Sequence, residues 1–561
     1  MKNKYSSIKV IILLIIIILI FPSTEVIGNE NKSKKYNFQI DKTEIFSPGE
    51  IIDISFSNKY PTLGEPIEII VKLKGNPIGQ SYDEILYIED EFSGLFVKST
   101  ESYWKSGNVT FDPVEIRIGR LPRYIKKISW YPVIVGNHTL KFKTGSFSER
   151  TENISVSFDS ENIIFPSLGC PSIINKNTTD EITILISEER HISEQPIDIS
   201  DVKLININET STYVLDNQTM IHKTWISNGF KNVEDELIAS YDIKSIPAGF
   251  YDIYVLTTKK EYRWRHAVKL INDEPEIFSF VQLTDIHIGK AYNLVNERKI
   301  ASDIIEYINE EIDPDFIVMS GDLVDWGNRL FHRQFLDLQE IIIKCNSPVF
   351  TVPGNHDRYE HRLLFLYNPY YDLSSYHMYI NPLNDYAFEY GDMNFLLLDS
   401  GYDYSRWEIK PDIWNLSPEG SGLTNAQLYL IENELGKPDM NQNIFMHHPA
   451  VNHEDDDGLF FVPDDLPSGN NECISFNRAE FINYCLSCNV SLVLTGHTHK
   501  NISYNYLGEE PDNPNDWPIF LQMQSSTLNR GNEGGRIIKI QDGKVISYNY
   551  ESLTFDNCLF K

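Results

Sequence analysis

Five short runs in the second half of the chain carry side chains able to hold metal ions. They are Asp285-Ile-His287, Asp322-Leu-Val-Asp325, Asn355-His356-Asp357, His447-His448 and His497-Thr-His499. Mixed imidazole, carboxylate and amide donors suit first-row divalent or trivalent metals. Taken singly each run is ordinary: an Asp after a strand is commonly a turn former, and a lone His more often belongs to the core or surface. Together they fall in one order, each after an apolar strand-like segment, and chance explains such a set poorly.

The elements that must position these residues are legible around them. Strands are expected at Phe278–Leu283, Asp315–Met319, Ser347–Val352, Asn394–Leu398, Asn443–Met446 and Val490–Leu494. In layered α/β domains ligands gather at the carboxyl ends of strands, and Gly321, Gly354 and Gly496 let the backbone turn sharply there. Ile300, Ile304, Ile305, Ile308 and Ile312 recur at helical spacing within 296–312, and helices are also expected at 425–435 and 478–488. Alternating strands and helices indicate an α/β layered domain. The tail, 535–540 and 544–548 around Asp542-Gly543, reads as a hairpin completing a sheet of that domain.

The ordered set DxH, GDxxD, GNHD, H and GHxH resembles the calcineurin-like metallophosphoesterases, over about residues 275–550. The resemblance implies a four-layer αββα fold. It also implies two divalent or trivalent transition-metal ions (Mn, Fe or Zn) at the rim of a central β-sandwich. Carried over by motif, Asp285, His287 and His499 hold one ion, Asn355, His447 and His497 hold the other, and Asp322 bridges them. His447 rather than His448 is taken as the ligand, because the family places it first in the Met446-His-x-Pro449 segment. The implied reaction is hydrolysis of a phosphomono- or phosphodiester by metal-activated hydroxide. In it His356 stabilises the transition state and protonates the leaving group, and Asp325 holds the His356 imidazole. Trp326 stands where protein Ser/Thr phosphatases carry a phosphate-binding Arg. The metal-binding Tyr of purple acid phosphatases is missing from the Asp322–Asp325 segment, and Gly-Asn-His-Asp-Arg replaces the GNHEFD-like run of 5′-nucleotidases. The cyclic-nucleotide-phosphodiesterase-like branch, or another exported relative, remains. Arg358 and Arg530 are candidate phosphate contacts. The aromatics Tyr359, Tyr370, Tyr371, Tyr402, Trp407 and Trp414 are candidates to roof the site, although packing under a long loop accounts for them equally well.

Composition bounds the partners. The formal net charge of −31 over 561 residues opposes general nucleic-acid binding and anionic membrane surfaces. It equally demands local positive charge for any phosphate chemistry, which bound metals would supply. The expected partner is a phosphoester small molecule or a phosphorylated surface component. Lys2, Lys4 and Lys9 precede an apolar run, Val10–Phe21, ended by Pro22. Residues 1–28 thus read as a signal peptide or N-terminal anchor, with membrane contact only through that segment if it is uncleaved. The expected location is extracellular or at the cell surface. Ten Asn-x-Ser/Thr sequons, most of them before residue 220, agree with export, although an Asn-rich sequence produces the motif by chance about as readily. Six cysteines do not make a disulfide-dense scaffold; a disulfide or buried thiols is expected.

A chain of this length calls for several domains. A flexible lead, 29–37, is followed by two β-sandwich (immunoglobulin-like) modules at 38–162 and 163–272, and the metallophosphoesterase domain occupies 273–561. Short alternating runs at turn-separated spacing carry the β reading, including an expected hairpin between Ser129–Gly136 and His138–Lys143. The modules hold no titratable cluster and read as spacer or recognition surface. A different class of protein, a surface adhesion or binding protein with a vestigial phosphoesterase domain, would also have this layout. The complete set of candidate ligands favours an enzyme.

Overall fold

The computed structural model describes residues 50–552 apart from 64, 66, 75–85, 91–95, 99–115, 119–120, 131, 133, 145–147, 159–161, 209–210, 227–230, 290–296, 328–331, 359–372, 402, 405–418, 452–472, 507–520 and 525–533. The N-terminal segment 1–28, Cys558, Arg530 and the six proposed roof aromatics lie outside the described residues.

The C-terminal half is a four-layer αββα domain behind a region whose described elements are all strands. One central sheet runs in the order Val349–Val352, Phe316–Ser320, Ile277–Leu283, Gly534–Gln541, Lys544–Ser552. Its first three strands are parallel and the last two form the expected tail hairpin. Asp542 (φ 51°) and Gly543 (φ 67°) both take positive φ at the turn, which a tight two-residue hairpin of right-handed twist requires. The second sheet runs Tyr386–Tyr390, Met393–Leu397, Asn441–Phe445, Val490–Thr495, Leu521–Gln524, Ile502–Asn505.

Phenylalanines join the two sheets. Phe280, Phe316, Phe350, Phe388, Phe395 and Phe445 belong to one buried cluster, with Phe350 and Phe388 stacked at 3.7 Å. Each ring removed from water contributes about 1.5–3 kcal/mol. Helices Glu297–Tyr307 and Arg333–Ile342 cover the outer face of the first sheet through Ile304, Ile305, Phe335, Leu338 and Ile341. Asn425–Leu430 and Arg478–Ser487 cover the second through Leu430, Phe481 and Tyr484.

Two pairs of sheets make up the preceding region. Strands from Ile51 to Val156 form two four-stranded sheets, and strands from Asn162 to Ile271 form a five-stranded and a four-stranded sheet. The expected hairpin at 129–143 does not form. Leu121–Trp130 pairs with Ile67–Lys74, whereas Gly136–Thr144 pairs with Leu86–Asp90 in the other sheet. The link between them crosses over because Ile134 and Val135 are buried in cores shared with the αββα domain. Nor is the second module a spacer. One apolar core runs from Ile184, Leu237 and Tyr251 of its sheets through to Ile317, Phe335 and Tyr376 of the αββα domain.

Cys170, Cys345 and Cys485 are buried free thiols, Cys473 is buried, and Cys488 is half-buried and free. Among the described residues no helix is long and apolar enough to cross a membrane.

Candidate metal centre

The site is assembled where the strands of both central sheets end. The loop after Ile277–Leu283 and the loop after Phe316–Ser320 are zipped side by side. Asp285 N–H donates to Gly321 O (3.1 Å), His287 N–H to Asp322 O (2.9 Å) and Asp325 N–H to Ile288 O (3.0 Å). From the second sheet, Gly496 N–H donates to His447 O (2.9 Å) and His497 N–H to Asp285 Oδ1 (3.1 Å). Gly321 (φ 87°) must be glycine, because a Cβ there would lie 2.5 Å from His447 Nδ1.

Five of the candidate ligands hold left-handed backbone conformations: Asp285 (φ 53°), His287 (48°), Asp322 (50°), His497 (69°) and His499 (54°). For residues with a Cβ each costs roughly 1–3 kcal/mol and persists only where the surroundings over-determine it. With these turns the D-x-H run aims both of its side chains at one set, and the H-x-H run divides its two between neighbouring sets.

Three sets of side chains come within metal-binding reach: Asp285, His287 and His499; Asp322, His447 and His497; and His287, Asp325 and His356. The Nε2 atoms of His287 and His499 face one another at 3.3 Å, with Asp285 Oδ1 3.5 Å from the latter. Asp322 Oδ2 lies 3.3 Å from His447 Nε2, 3.6 Å from His287 Nε2 and 3.9 Å from His356 Nε2, between the first two sets. Asp285, His287, Asp322, Asn355 and His447 are buried, while His356, His497 and His499 are partly exposed and form the mouth.

The donor set fits cations. His447 Nδ1 donates to Ser320 O (3.1 Å), which directs Nε2 at the Asp322 carboxylate. Burial opposes charge on His447, but Asp322 and Asp285 push its pKa up to about 9. Burial likewise opposes charge on Asp322, yet His447, His356 and His287 hold its carboxyl well below the usual range. A cation between Nε2 and Oδ2 would take the place of the proton that holds this pair together.

Two site residues act differently from expectation. His356 Nδ1 donates to the backbone carbonyl of Asp325 (2.9 Å), whereas the Asp325 carboxylate is 3.7 Å away. The main chain therefore orients the imidazole, and the carboxylate supplies charge beside both His356 and His287 Nδ1 (3.8 Å). Arg358 is buried and paired with Asp399 at 2.5 Å, with Nε 3.3 Å from Gly354 O. Through these two bonds its guanidinium braces the loop that carries Asn355.

Two residues of the five runs take roles that the sequence did not assign. Asp357 is fully buried. Its Oδ1 accepts Leu323 N–H (2.9 Å) and Val324 N–H (3.0 Å), and its Oδ2 accepts Gly354 N–H (2.7 Å). It stitches the Asp322 loop to the Asn355 loop, and burial together with nearby Asp322 pushes its pKa up to about 6. Its place directly after Gly-Asn-His was the one available signal. His448 is buried, with Nδ1 2.9 Å from Ser400 Oγ and its ring 4.4 Å from that of His497, so it backs a candidate ligand from behind.

The αββα domain thus carries paired His/Asp clusters at the ends of its strands. The sequence model of the family described as calcineurin-like phosphoesterase matches residues 278–501, and this part of the chain is a calcineurin-like phosphoesterase domain. No curated protein matches the chain. Among solved structures, a purple acid phosphatase from yellow lupin (Lupinus luteus) seeds is 12% identical. It aligns with 90% of this chain and 96% of its own at a TM-score of 0.36. The titin Ig tandem domains A164-A165 are 9% identical and align with 40% of this chain and 99% of their own at a TM-score of 0.19. Likeness at these scores says nothing about what this chain does.

Proposed function

We propose that the chain is an exported enzyme, secreted or held at the cell surface, that hydrolyses a phosphomono- or phosphodiester at a dinuclear transition-metal centre. The observation that carries this reading is the position of Asp322, whose Oδ2 lies within 3.6 Å of both His447 Nε2 and His287 Nε2. One carboxylate reaching both sets is what a two-ion site needs. Asp285, His287 and His499 would hold one ion and Asn355, His447 and His497 the other, with Asp322 within reach of both sets. When bound, such a pair lowers the pKa of water and neutralises phosphoryl oxygens.

The chain's own residues supply the rest. A carbonyl can only accept, so His356 keeps a proton on Nδ1 against Asp325 O, which leaves Nε2 as the nitrogen through which the ring takes up or gives a proton. That ring is at the partly exposed mouth, suited to delivering the Nε2 proton to a departing oxygen. Ser320 O fixes the His447 tautomer.

Export is supported by the charged, then apolar, N-terminal sequence. It is also supported by the exposure of six sequon asparagines, Asn137, Asn153, Asn177, Asn208, Asn489 and Asn501. The substrate is a phosphoester small molecule or a phosphorylated surface component. Metal analysis of the purified chain, with a panel of phosphomono- and phosphodiesters in Mn²⁺, Zn²⁺ and Fe²⁺, tests the proposal. About two ions per chain and turnover of at least one ester class are expected. A metal-free, inert chain would instead favour a binding protein with a vestigial domain.

A further inference from the structure

Strand Val349–Val352 is an edge of its sheet, paired only with Phe316–Ser320 among the described strands. It leads directly into Pro353-Gly354-Asn355-His356. An open edge is weakly held, yet this one must fix Asn355. A turn of the second β-module, Ser167–Cys170, lies along it. Gly169 O accepts Thr351 N–H at 2.8 Å, and Gly169 N–H donates to Ile380 O at 2.9 Å. A buried polar network closes around the contact. The Tyr386 hydroxyl lies 2.9 Å from Gly169 O and 2.8 Å from Thr351 O, and the Tyr376 hydroxyl 2.9 Å from Thr351 Oγ1. Asn381 Nδ2 donates to Gly169 O at 3.3 Å, and Ser167 Oγ to Asn381 Oδ1 at 3.4 Å. Ser167, Thr351, Tyr376, Asn381 and Tyr386 are all buried. Burial pushes both phenols well above their usual range, so they stay neutral hydrogen-bonding partners. No side chain fits at residue 169, where a Cβ would stand 2.3 Å from Thr351 Oγ1 and 2.9 Å from Asn381 Cβ. Leu168 and Cys170, on either side, are anchored in the two large apolar cores.

We propose that this turn is a positioning element of the metal centre: the second β-module completes the edge of the strand that carries Asn355 and thereby sets one of the two ion positions. The inference rests on the proposed dinuclear centre. A fully satisfied buried network of this kind favours one arrangement over its neighbours. Its effect is local. The Asp285, His287 and His499 set is carried by strands Ile277–Leu283 and Val490–Thr495, whereas the turn directs its hydrogen bonds at Thr351, Ile380, Asn381 and Tyr386, and Asn355 follows Thr351 by four residues. Disturbing the turn should therefore weaken one ion and spare the other, an asymmetry that general loss of stability would not produce.

The test uses the full chain and Zn²⁺ or Mn²⁺ titrated against a chromophoric chelator, with circular dichroism to report folding. Gly169→Val forces the turn away from Thr351, and Tyr386→Phe removes only the hydroxyl shared by Gly169 and Thr351. Supporting partners outside the ligand shell typically carry about 10–100-fold in affinity. Gly169→Val should lose that much for one ion with the other unchanged, and Tyr386→Phe should show the same asymmetry at lower amplitude. Wild-type affinity for both ions in a folded Gly169→Val chain overturns the inference, as does equal weakening of both. If Gly169→Val does not fold, the same two outcomes in Tyr386→Phe decide. A wild-type chain that binds no metal sinks the dinuclear reading itself and the inference with it.

Discussion

Asp357→Asn separates loop stitching from ligation, because Asp357 touches no proposed ion. Its carboxylate accepts backbone N–H groups of Leu323, Val324 and Gly354 at 2.9, 3.0 and 2.7 Å. An asparagine has one acceptor oxygen, so its NH₂ must face either Gly354 or the Leu323–Val324 pair. At least one charge-assisted bond, worth about 1.5–3 kcal/mol, is lost, and a buried N–H is left facing another donor. Against this stands relief. The rise of the Asp357 pKa from 3.8 to about 6 means that burial and repulsion by Asp322 outweigh the three backbone bonds by about 3 kcal/mol, and an amide escapes both penalties. The two nearly cancel in the metal-free chain, so its melting temperature should change little. Cations beside Asp322 remove the repulsion in wild type but leave the variant's broken stitch and add no attraction to a neutral amide. The variant should therefore bind metal about 10–100-fold more weakly and gain less thermal stabilisation from it. Paired melts with and without Zn²⁺, alongside chelator competition, measure both. A variant destabilised equally in both states, or one with wild-type affinity, would refute the stitching argument.

The remaining predictions concern the histidines. His447→Ala should abolish binding of one ion, whereas His448→Ala, which removes a ring packed on His497 and hydrogen-bonded to Ser400 Oγ, should weaken it by about 10–100-fold; equal losses in metal analysis would mean that the wrong histidine was chosen. His356→Ala should keep metal content near wild type and lower turnover by about 10²–10⁴-fold, more on alkyl than on nitrophenyl esters. Asp325→Asn keeps the carbonyl that orients the ring, so it should show a smaller loss than His356→Ala; an equal loss on both ester types would show that the carboxylate is indispensable.

The ligand runs were legible because each is short, local and chemically specific: a strand, a glycine and then metal-capable side chains. The αββα layering was legible for the same reason, since helical spacing at Ile300–Ile308 and apolar strands at 278–283 and 490–494 are local signals. What sequence did not reveal depends on contacts far apart in the chain. The partners of Asp357 lie 33 and 34 residues away, and Gly169 meets Thr351 across 182 residues. Alternation marked 129–143 as β-structure but could not say that its two strands enter different sheets. Arg358 looked available because its sequence neighbours are site residues, but Asp399, which occupies it, is 41 residues downstream.

The central claim is that one carboxylate serves two ions. Asp322→Asn in the full chain, with metal per chain and phosphoester turnover measured on the same samples, tests it most directly. The variant keeps an oxygen for His356 N–H but loses the charge that His447 and His287 face. Occupancy should fall from about two ions per chain, and turnover should fall with it. Undiminished occupancy and turnover in the folded variant would contradict the account.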